Sequence, residues 1–454
     1  MSVNPSVFLF LAAILAIIFA NTGLKELYDN ILNAPVTLEV WGYSFFKIAG
    51  RPMTAAEFIN DALMAIFFFS VGLEIKREMT IGSLSSFKKA LLPVVAAFGG
   101  IIVPVLVFLS ICHTEPVMRG MAIPMATDIA FALAVLGLLG KRVPATLKIF
   151  LMALAVVDDI VGILVIAIFY SSGINVVPLV LGLSFVLIAY ILGQKGVVRS
   201  GIYYFIFFIV WSLFLHSGIH TTIAGVLLAL SIPYKPTIRP RDLREDLKLL
   251  TERVEIACEP DHVVRDFLSD DEIEEILRTE RRLLRSISPV QIMEQQTNAF
   301  VNYVVLPLFA FANAGVALGG VSASELFGLP LAIFLGLFVG KTIGIFGFTC
   351  LFSKLKLIHL SPGITKWNLF GVSIFGGIGF TVSLFIATLA YSGLGETGEI
   401  LLNEAKLGIF AGTIVSGIVG VLVLSTILKK EKKHNKGAYS KEYIDYMKTA
   451  VIDD

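Results

Sequence analysis

The sequence has little charge for its length. Charged residues make up 16% of the 454 residues, whereas soluble domains average about 25%. Hydrophobic residues reach 56% and include 35 phenylalanines, which is more apolar surface than a soluble protein of this size buries. The composition therefore excludes a large soluble enzyme and predicts an all-α polytopic membrane protein.

Cysteine and surplus positive charge are also scarce. The 3 cysteines are far apart, and the sequence lacks a CxxC pair or a cysteine–histidine cluster. A disulfide framework and a zinc site are therefore not expected. The formal net charge of +1 leaves no basic surplus for nucleic acid. We expect no nucleic-acid partner and no cofactor.

Long apolar runs recur along the chain. A helix needs about 20 mostly apolar residues to cross the hydrocarbon core of a bilayer. The first run, Val7 to Ala20, has no lysine or arginine before it. We interpret it as a membrane helix rather than as a cleaved signal peptide. We predict twelve spans, near residues 6–26, 56–75, 90–111, 121–139, 147–170, 176–194, 201–216, 219–233, 298–319, 328–352, 367–391 and 404–428.

Lysine and arginine are distributed unevenly between the two sides that these spans define. The connections after spans two, four, six and ten hold most of them, including Lys76, Arg77, Lys88 and Lys89. Positive charge marks the cytoplasmic side of a membrane protein. We therefore expect a multi-pass protein with both termini in the cytoplasm.

Three segments fall outside the predicted spans. Spans one to eight occupy residues 1–234 and spans nine to twelve occupy 298–428, so residues 235–297 form a charged cytoplasmic insert. Residues 429–454 form a cytoplasmic tail. Insert and tail are either regulatory elements or solvated appendages. The β-prone stretch 38–52 predicts a small extracytoplasmic hairpin.

A few charged residues lie inside apolar runs, where each costs roughly 2.5–3.5 kcal/mol on insertion scales. They are Asp61, Asp128, Asp158, Asp159 and Lys341. Asp158 and Asp159 are adjacent, so they point about 100° apart on a helix. Two close carboxylates repel, so at least one holds a proton until a cation or lysine arrives. This favours a site where Na⁺ and H⁺ compete. The alternative is a structural pair bound by neighbouring hydroxyls.

Lys341 lies in the run "LFLGLFVGKTIGIFGF", too deep to reach water easily. It needs a counter-charge, and either Asp158 or Asp159 is expected to supply it. Such a pair exchanges its proton as a cation enters. A purely structural salt bridge between spans five and ten is the alternative.

Two spans carry signs of interruption. Pro124 precedes Thr127 and Asp128 in span four, and Gly376, Gly377 and Gly379 cluster in the middle of span eleven. Proline removes a backbone donor, and a broken helix exposes amide and carbonyl groups that interact with ions. Breaks in corresponding spans predict inverted repeats, spans 3–5 and 10–12, around a midplane site. A kinked helix with a local cap is the alternative.

A further group of charges lies at the cytoplasmic end of span two, in "VGLEIKREM". Glu74 and Glu78 are four residues apart and therefore share a helix face. With Arg77 between them, they form either a cytoplasmic funnel that gathers cations or an interfacial anchor.

These features together resemble the NhaA family of bacterial sodium/proton antiporters. The resemblance covers nearly all of the membrane part and includes long stretches in the same order. They are "INDALMAIFFFSVGLEIKREM", "LLPVVAAFGGIIVP", "IPMATDIAFALAVLGLLGKRVP", "LKIFLMALAVVDDIVGI", "SGIHTTIAGV", "LPLFAFANAGV", "GKTIGI" and "GGIGFTVSLFIATLA".

The resemblance implies a bacterial inner-membrane antiporter that exports Na⁺, or Li⁺, in exchange for H⁺ by alternating access. It implies Asp158, Asp159 and Thr127 as the cation site, with Asp159 as the main ligand and Thr127 and Asp128 at a helix crossing. Lys341 would pair with Asp158 and compensate helix-end charge. Two carboxylates and a lysine resemble the electrogenic class.

The resemblance also implies a cytoplasmic pH-response cluster of Glu74, Arg77, Glu78 and Glu294, and a homodimer that forms through the hairpin. Gln295 and Asn298 stand where some members carry histidines, which weakens any inference about the activating pH. From the residues alone, a sodium-coupled organic-solute symporter, an ion channel and a membrane enzyme remain alternatives. The enzyme is disfavoured because no nucleophile–base or metal set is visible.

Overall fold

The structure of the protein is a computed structural model dominated by apolar helices. It describes residues 5–40, 43–48, 50–170, 173–236, 244, 248, 270–317, 326–358, 360, 361 and 363–434. Most of the predicted insert between residues 237 and 269, and the predicted tail beyond residue 434, lie outside the described residues.

The described helices are numbered in chain order. They are α1 Pro5–Asn21, α2 Lys25–Asn33, α3 Ala55–Thr80, α4 Phe87–Ile111, α5 Ile129–Gly137, α6 Ala145–Phe169, α7 Val176–Gln194, α8 Ser200–Leu215, α9 Thr221–Ser231, α10 Asp270–Arg285, α11 Pro289–Phe300, α12 Leu306–Asn313, α13 Leu329–Lys354, α14 Lys366–Phe375, α15 Phe380–Tyr391 and α16 Gly395–His434. Two 3-10 helices, Val117–Met125 and Gly140–Arg142, precede α5 and α6.

Six of the described helices are long and apolar enough to cross a membrane. Three further pairs pass the same test jointly but bend at a short break: α1 with α2 by 115°, the 3-10 helix Val117–Met125 with α5 by 45°, and α14 with α15 by 49°. If each bent pair is one span, the described residues hold up to nine. α8 and α9 are shorter apolar helices. The fold is thus a helical polytopic membrane protein.

Three π-helical turns interrupt the regular helices. They are Ile59–Leu63 within α3, Val301–Val305 between α11 and α12, and Gly336–Gly340 within α13. A π turn adds one residue to the helical register and therefore rotates the side chains that follow it. The third ends directly before Lys341, so it helps to set the direction in which that lysine leaves its helix.

Short strands fill the stretch between α2 and α3. They are β1 Pro35–Val36, β2 Glu39–Val40, β3 Tyr43–Ser44, β4 Lys47–Ile48 and β5 Arg51–Thr54. β5 pairs antiparallel with both β1 and β4, while β2 pairs antiparallel with β3. Thr54 then caps α3, because its side chain accepts a hydrogen bond from the Glu57 amide and the Glu57 carboxylate accepts one from the Thr54 amide.

Glycines allow α4 and α13 to approach backbone to backbone. A Cβ atom added at Gly99 would collide with the carbonyl of Gly344, and one added at Gly344 would collide with the carbonyl of Gly99. Gly340 contacts Pro104 of α4 in the same way. Such small residues are the usual means of close helix packing in membranes. The contact holds Lys341 beside the helices that form the site.

Candidate functional site

Two interrupted helices contact each other at their breaks. The residues between the 3-10 helix Val117–Met125 and α5 are extended, and four residues separate α14 from α15. The Asp128 amide donates to the Ile378 carbonyl at 2.7 Å, and Thr127 Oγ1 lies 3.0 Å from the Gly376 carbonyl oxygen. Each break therefore provides hydrogen-bond partners for some of the backbone groups that the other break exposes.

Asp128 binds the amino-terminal ends of two half-helices. Its Oδ1 accepts from the Phe131 amide at 2.9 Å, which caps α5. Its Oδ2 accepts from the Thr381 amide at 3.1 Å and the Thr381 hydroxyl at 2.5 Å, in the first turn of α15. A carboxylate is favourable there because helix amino termini carry partial positive charge. Since Asp128 is only 3% exposed, it balances that charge away from water.

Asp158 and Lys341 form a fully buried ion pair beside this crossing. Lys341 Nζ donates to Asp158 Oδ2 and, at 2.8 Å, to Thr127 Oγ1. Asp158 Oδ2 also lies 2.8 Å from Thr127 Oγ1. The other oxygen, Asp158 Oδ1, is buried and has no hydrogen-bond partner among the described residues. The residues alone left the partner of Lys341 open between two aspartates, and the family resemblance implied Asp158. In the structure the partner is Asp158.

Asp159 lies on a different face of α6 and is only 6% exposed. No hydrogen bond to its carboxylate is found within the part of the chain that the structure describes. Its neighbour in the chain, Asp158, is also buried, so two carboxyl groups lie close together in this part of α6. An acid so placed has unused oxygen lone pairs and a strong reason to bind a positive ion.

The predicted cytoplasmic residues form a second cluster between α3 and α11. Arg77 Nε lies 2.9 Å from Glu294 Oε2, and Arg77 Nη2 lies 3.2 Å from Glu78 Oε1. Glu78 Oε2 accepts from both the amide and the hydroxyl of Ser83. Glu74, one turn before Glu78, interacts electrostatically with this cluster and with Asp159.

Asp61 does not join either cluster. It lies in the π turn at the start of α3, thirteen residues before Glu74, which corresponds to about 20 Å along a helix. Its Oδ1 is 3.4 Å from the Thr221 hydroxyl, and its carbonyl accepts from Trp211 Nε1 at 3.4 Å. Its observed partners are therefore α8 and α9.

Sequence reasoning missed the hydroxyl residues that complete the crossing. Thr381 binds Asp128, and Thr413 Oγ1 of α16 accepts from the Phe380 amide at 3.3 Å. Ser416 lies one turn later on α16 and is fully buried. The sequence offers one signal for them, which is the position of Thr381 shortly after the glycine cluster. That signal is weak, because hydroxyls are common in membrane helices.

The site consists of oxygen ligands and one amine. Among the described residues there is no group of three or more histidine, cysteine, aspartate or glutamate side chains that could hold a metal ion. Two adjacent carboxylates with a nearby hydroxyl are instead suited to a hard cation that is bound and released, because such cations prefer oxygen ligands.

Comparisons with known proteins point to one family. A family model described as Na+/H+ antiporter 1 matches residues 2–424. The curated protein Na(+)/H(+) antiporter NhaA of Porphyromonas gingivalis is 51% identical over 433 residues, which cover 94% of each chain. Proteins of the same name from Parabacteroides distasonis and Nitratiruptor sp. are 48% and 40% identical, over 94% and 92% of this chain and 95% of their own length.

Proposed function

The chain belongs to the Na+/H+ antiporter 1 family, and on that premise we propose that it exports Na⁺ in exchange for H⁺. Li⁺ is a second cation substrate in this proposal, and the protein resides in a bacterial inner membrane with both termini in the cytoplasm. It is a transporter rather than an enzyme. One observation carries the proposal: two adjacent buried carboxylates that retain free oxygens beside a buried ammonium group.

Na⁺ binds in this proposal between Asp158, Asp159 and Thr127. Asp159 is the main ligand because no described donor occupies its oxygens, and Asp158 contributes Oδ1, which is also free. Thr127 Oγ1 lies 2.8 Å from the other oxygen of Asp158 and adds a neutral ligand. The cation then replaces the ammonium group of Lys341 as the positive charge that balances Asp158.

Proton release follows from competition for the same charge. While Na⁺ is absent, repulsion between the adjacent carboxylates of Asp158 and Asp159 favours a proton on one of them, which we assign to Asp159. Na⁺ displaces that proton and weakens the hold of Asp158 on Lys341, whose own proton then becomes exchangeable. Two proton carriers per Na⁺ would make the exchange electrogenic, driven by both the proton gradient and the membrane potential.

The architecture that we propose has twelve spans. The six long helices and the three bent pairs account for nine of them. We assign the other three, spans seven, eight and nine, to α8, α9 and the helical stretch from α11 to α12. Spans 3–5 and 10–12 form inverted repeats, supported by breaks of similar angle, 45° and 49°, in their middle members. Alternating access then moves one block of helices around a site at the midplane.

Regulation by pH is assigned to the cytoplasmic cluster. Arg77 holds Glu78 and Glu294 from two helices together, and Glu74 links this cluster electrostatically to Asp159. A change of protonation here alters the field at the cation site. The rate of exchange measured across a pH series on the full chain tests this assignment.

The β-strands between α2 and α3 are assigned to a homodimer contact. Their backbone pairing places Ile48 opposite Arg51, and Arg51 is exposed. Light scattering of the purified protein, with and without residues 38–52, tests whether two copies associate through this hairpin.

Reconstituted transport tests the function itself. Proteoliposomes with a trapped pH dye report proton movement after addition of Na⁺, Li⁺, K⁺ or an organic solute, and clamping of the membrane potential reports electrogenicity. We expect Asp159→Asn to abolish the Na⁺-driven pH change. Glu115→Gln is the matched control, because Glu115 is an exposed acid that forms an ion pair with Arg119. Full Na⁺-driven exchange by Asp159→Asn would refute the assignment, and a requirement for an organic solute would indicate a symporter.

A further inference from the structure

Thr127 has more acceptors within reach than it has protons. Its Oγ1 lies 2.8 Å from Asp158 Oδ2 and 3.0 Å from the Gly376 carbonyl oxygen. The same oxygen accepts a hydrogen bond from Lys341 Nζ at 2.8 Å. Because a hydroxyl carries one proton, Thr127 donates either to Asp158 or to Gly376, but not fully to both.

The choice depends on the charge of Asp158. An ionised carboxylate is a stronger acceptor than a neutral carbonyl, so Thr127 favours Asp158 while that acid carries its charge. When a cation or a proton neutralises Asp158, the Gly376 carbonyl becomes the better acceptor. The acceptor of the Thr127 proton would then change to the Gly376 carbonyl, which lies in the broken segment between α14 and α15.

A second hydroxyl lies against the other side of that segment. Ser416 of α16 is 0% exposed, and its Oγ has no hydrogen-bond partner among the described residues. It lies so close to Gly377 that a Cβ atom there would collide with it and with the Leu337 carbonyl. Thr413, one turn earlier, already accepts from the Phe380 amide. Buried hydroxyls are nearly always hydrogen-bonded, so an unpaired one calls for a physical reason.

We propose that Ser416 is a positioning residue of the transport cycle, whose hydroxyl binds the Gly376–Gly377 backbone in the state that follows cation binding. In the structure described above, this hydroxyl has no hydrogen-bond partner among the described residues. After Thr127 changes its acceptor, the segment shifts and Ser416 gains its partner. This inference rests on the proposed antiport function, because it needs a cation that alters the charge of Asp158.

Removal of this hydroxyl has a specific expected signature. Ser416→Ala deletes a bond that exists only after cation binding, so turnover at saturating Na⁺ falls about five- to tenfold, as expected for the loss of one hydrogen bond. The apparent KM for Na⁺ stays within about twofold of wild type, because Ser416 does not contact the cation. Thermal stability without Na⁺ is not lowered, because an unpaired hydroxyl is replaced by a methyl group.

The experiment compares Ser416→Ala with Ser425→Ala in the full chain. Ser425 is on the same helix and donates to the Leu422 carbonyl at 3.0 Å, far from the break. Exchange rates across a Na⁺ series in proteoliposomes give turnover and KM, and tryptophan fluorescence on heating gives the unfolding midpoint. Lower turnover with unchanged KM and unchanged stability, seen for Ser416→Ala alone, supports the proposal.

Three results would overturn it: wild-type turnover in Ser416→Ala, a raised KM without lower turnover, or a lower unfolding midpoint in the absence of Na⁺. The second would identify a binding residue and the third a purely structural one. Absence of Na⁺-driven exchange in the wild-type protein would instead refute the proposed antiport function. Failure of the two proposals is therefore distinguishable.

Discussion

Replacement of Lys341 by methionine is the sharpest test of the buried ion pair. Lys341 is 0% exposed, and its ammonium group donates to both Asp158 and Thr127. Lys341→Met keeps the length of the side chain but leaves the Asp158 charge buried without its partner. Removal of one member of a buried pair costs about 3–5 kcal/mol. We therefore expect the free energy of unfolding to fall by that amount.

The double variant Asp158→Asn/Lys341→Met separates charge from packing. It removes both charges together, so it should recover most of the lost stability, because a buried pair replaced as a unit is often nearly neutral. Lys354→Met is the control, since Lys354 is exposed in the last turn of the same helix.

Unfolding of each purified variant in mixed micelles, followed by tryptophan fluorescence, gives the free energies. If Lys341→Met is as stable as Lys354→Met, or if the double variant is no more stable than the single one, the pair does not carry the energy assigned to it. Transport assays on the same preparations then show whether stability and exchange are lost together.

Two further predictions concern the crossing of the broken helices. Thr381→Val removes the hydroxyl that donates to Asp128 at 2.5 Å. We expect about a tenfold loss of exchange rate, because a hydrogen bond to a charged group contributes roughly 1.5–3 kcal/mol. A wild-type exchange rate in Thr381→Val would contradict this prediction. Gly377→Ala places a methyl group against backbone and side-chain oxygens, and overpacking of this kind costs about 1–3 kcal/mol of stability. Gly162→Ala is its control, because a Cβ atom at Gly162 meets open space; equal unfolding midpoints for the two alanine variants would show that the contact is not tight.

The charged residues of the site could be predicted from the residues alone, whereas the partner of Lys341 came only from the family resemblance. Asp158, Asp159 and Lys341 are conspicuous because each interrupts a long apolar run, where charge is costly. Which aspartate meets Lys341 depends on the rotation of α13, and the π turn before Lys341 changes that rotation without a sequence signal. Adjacent aspartates are therefore indistinguishable until the helices are packed.

The broken helices show the same contrast between what the sequence indicates and what only packing determines. Pro124 and the glycine cluster indicated where two helices are interrupted, because each residue has a backbone reason to end a helix. The hydroxyls that hold the breaks together, Thr381 and Thr413, have no comparable signature. A threonine in a membrane helix usually bonds its own helix, so its tertiary role depends on a neighbour that the sequence does not specify.

The interlocked glycines of α4 and α13 have a mechanical consequence. Gly99 and Gly344 lie so close that a Cβ atom on either would meet the carbonyl of the other. A shift of α13 along α4 that brings a larger residue to this contact therefore produces a steric clash. We expect a rearrangement that moves Lys341 to move α4 together with α13.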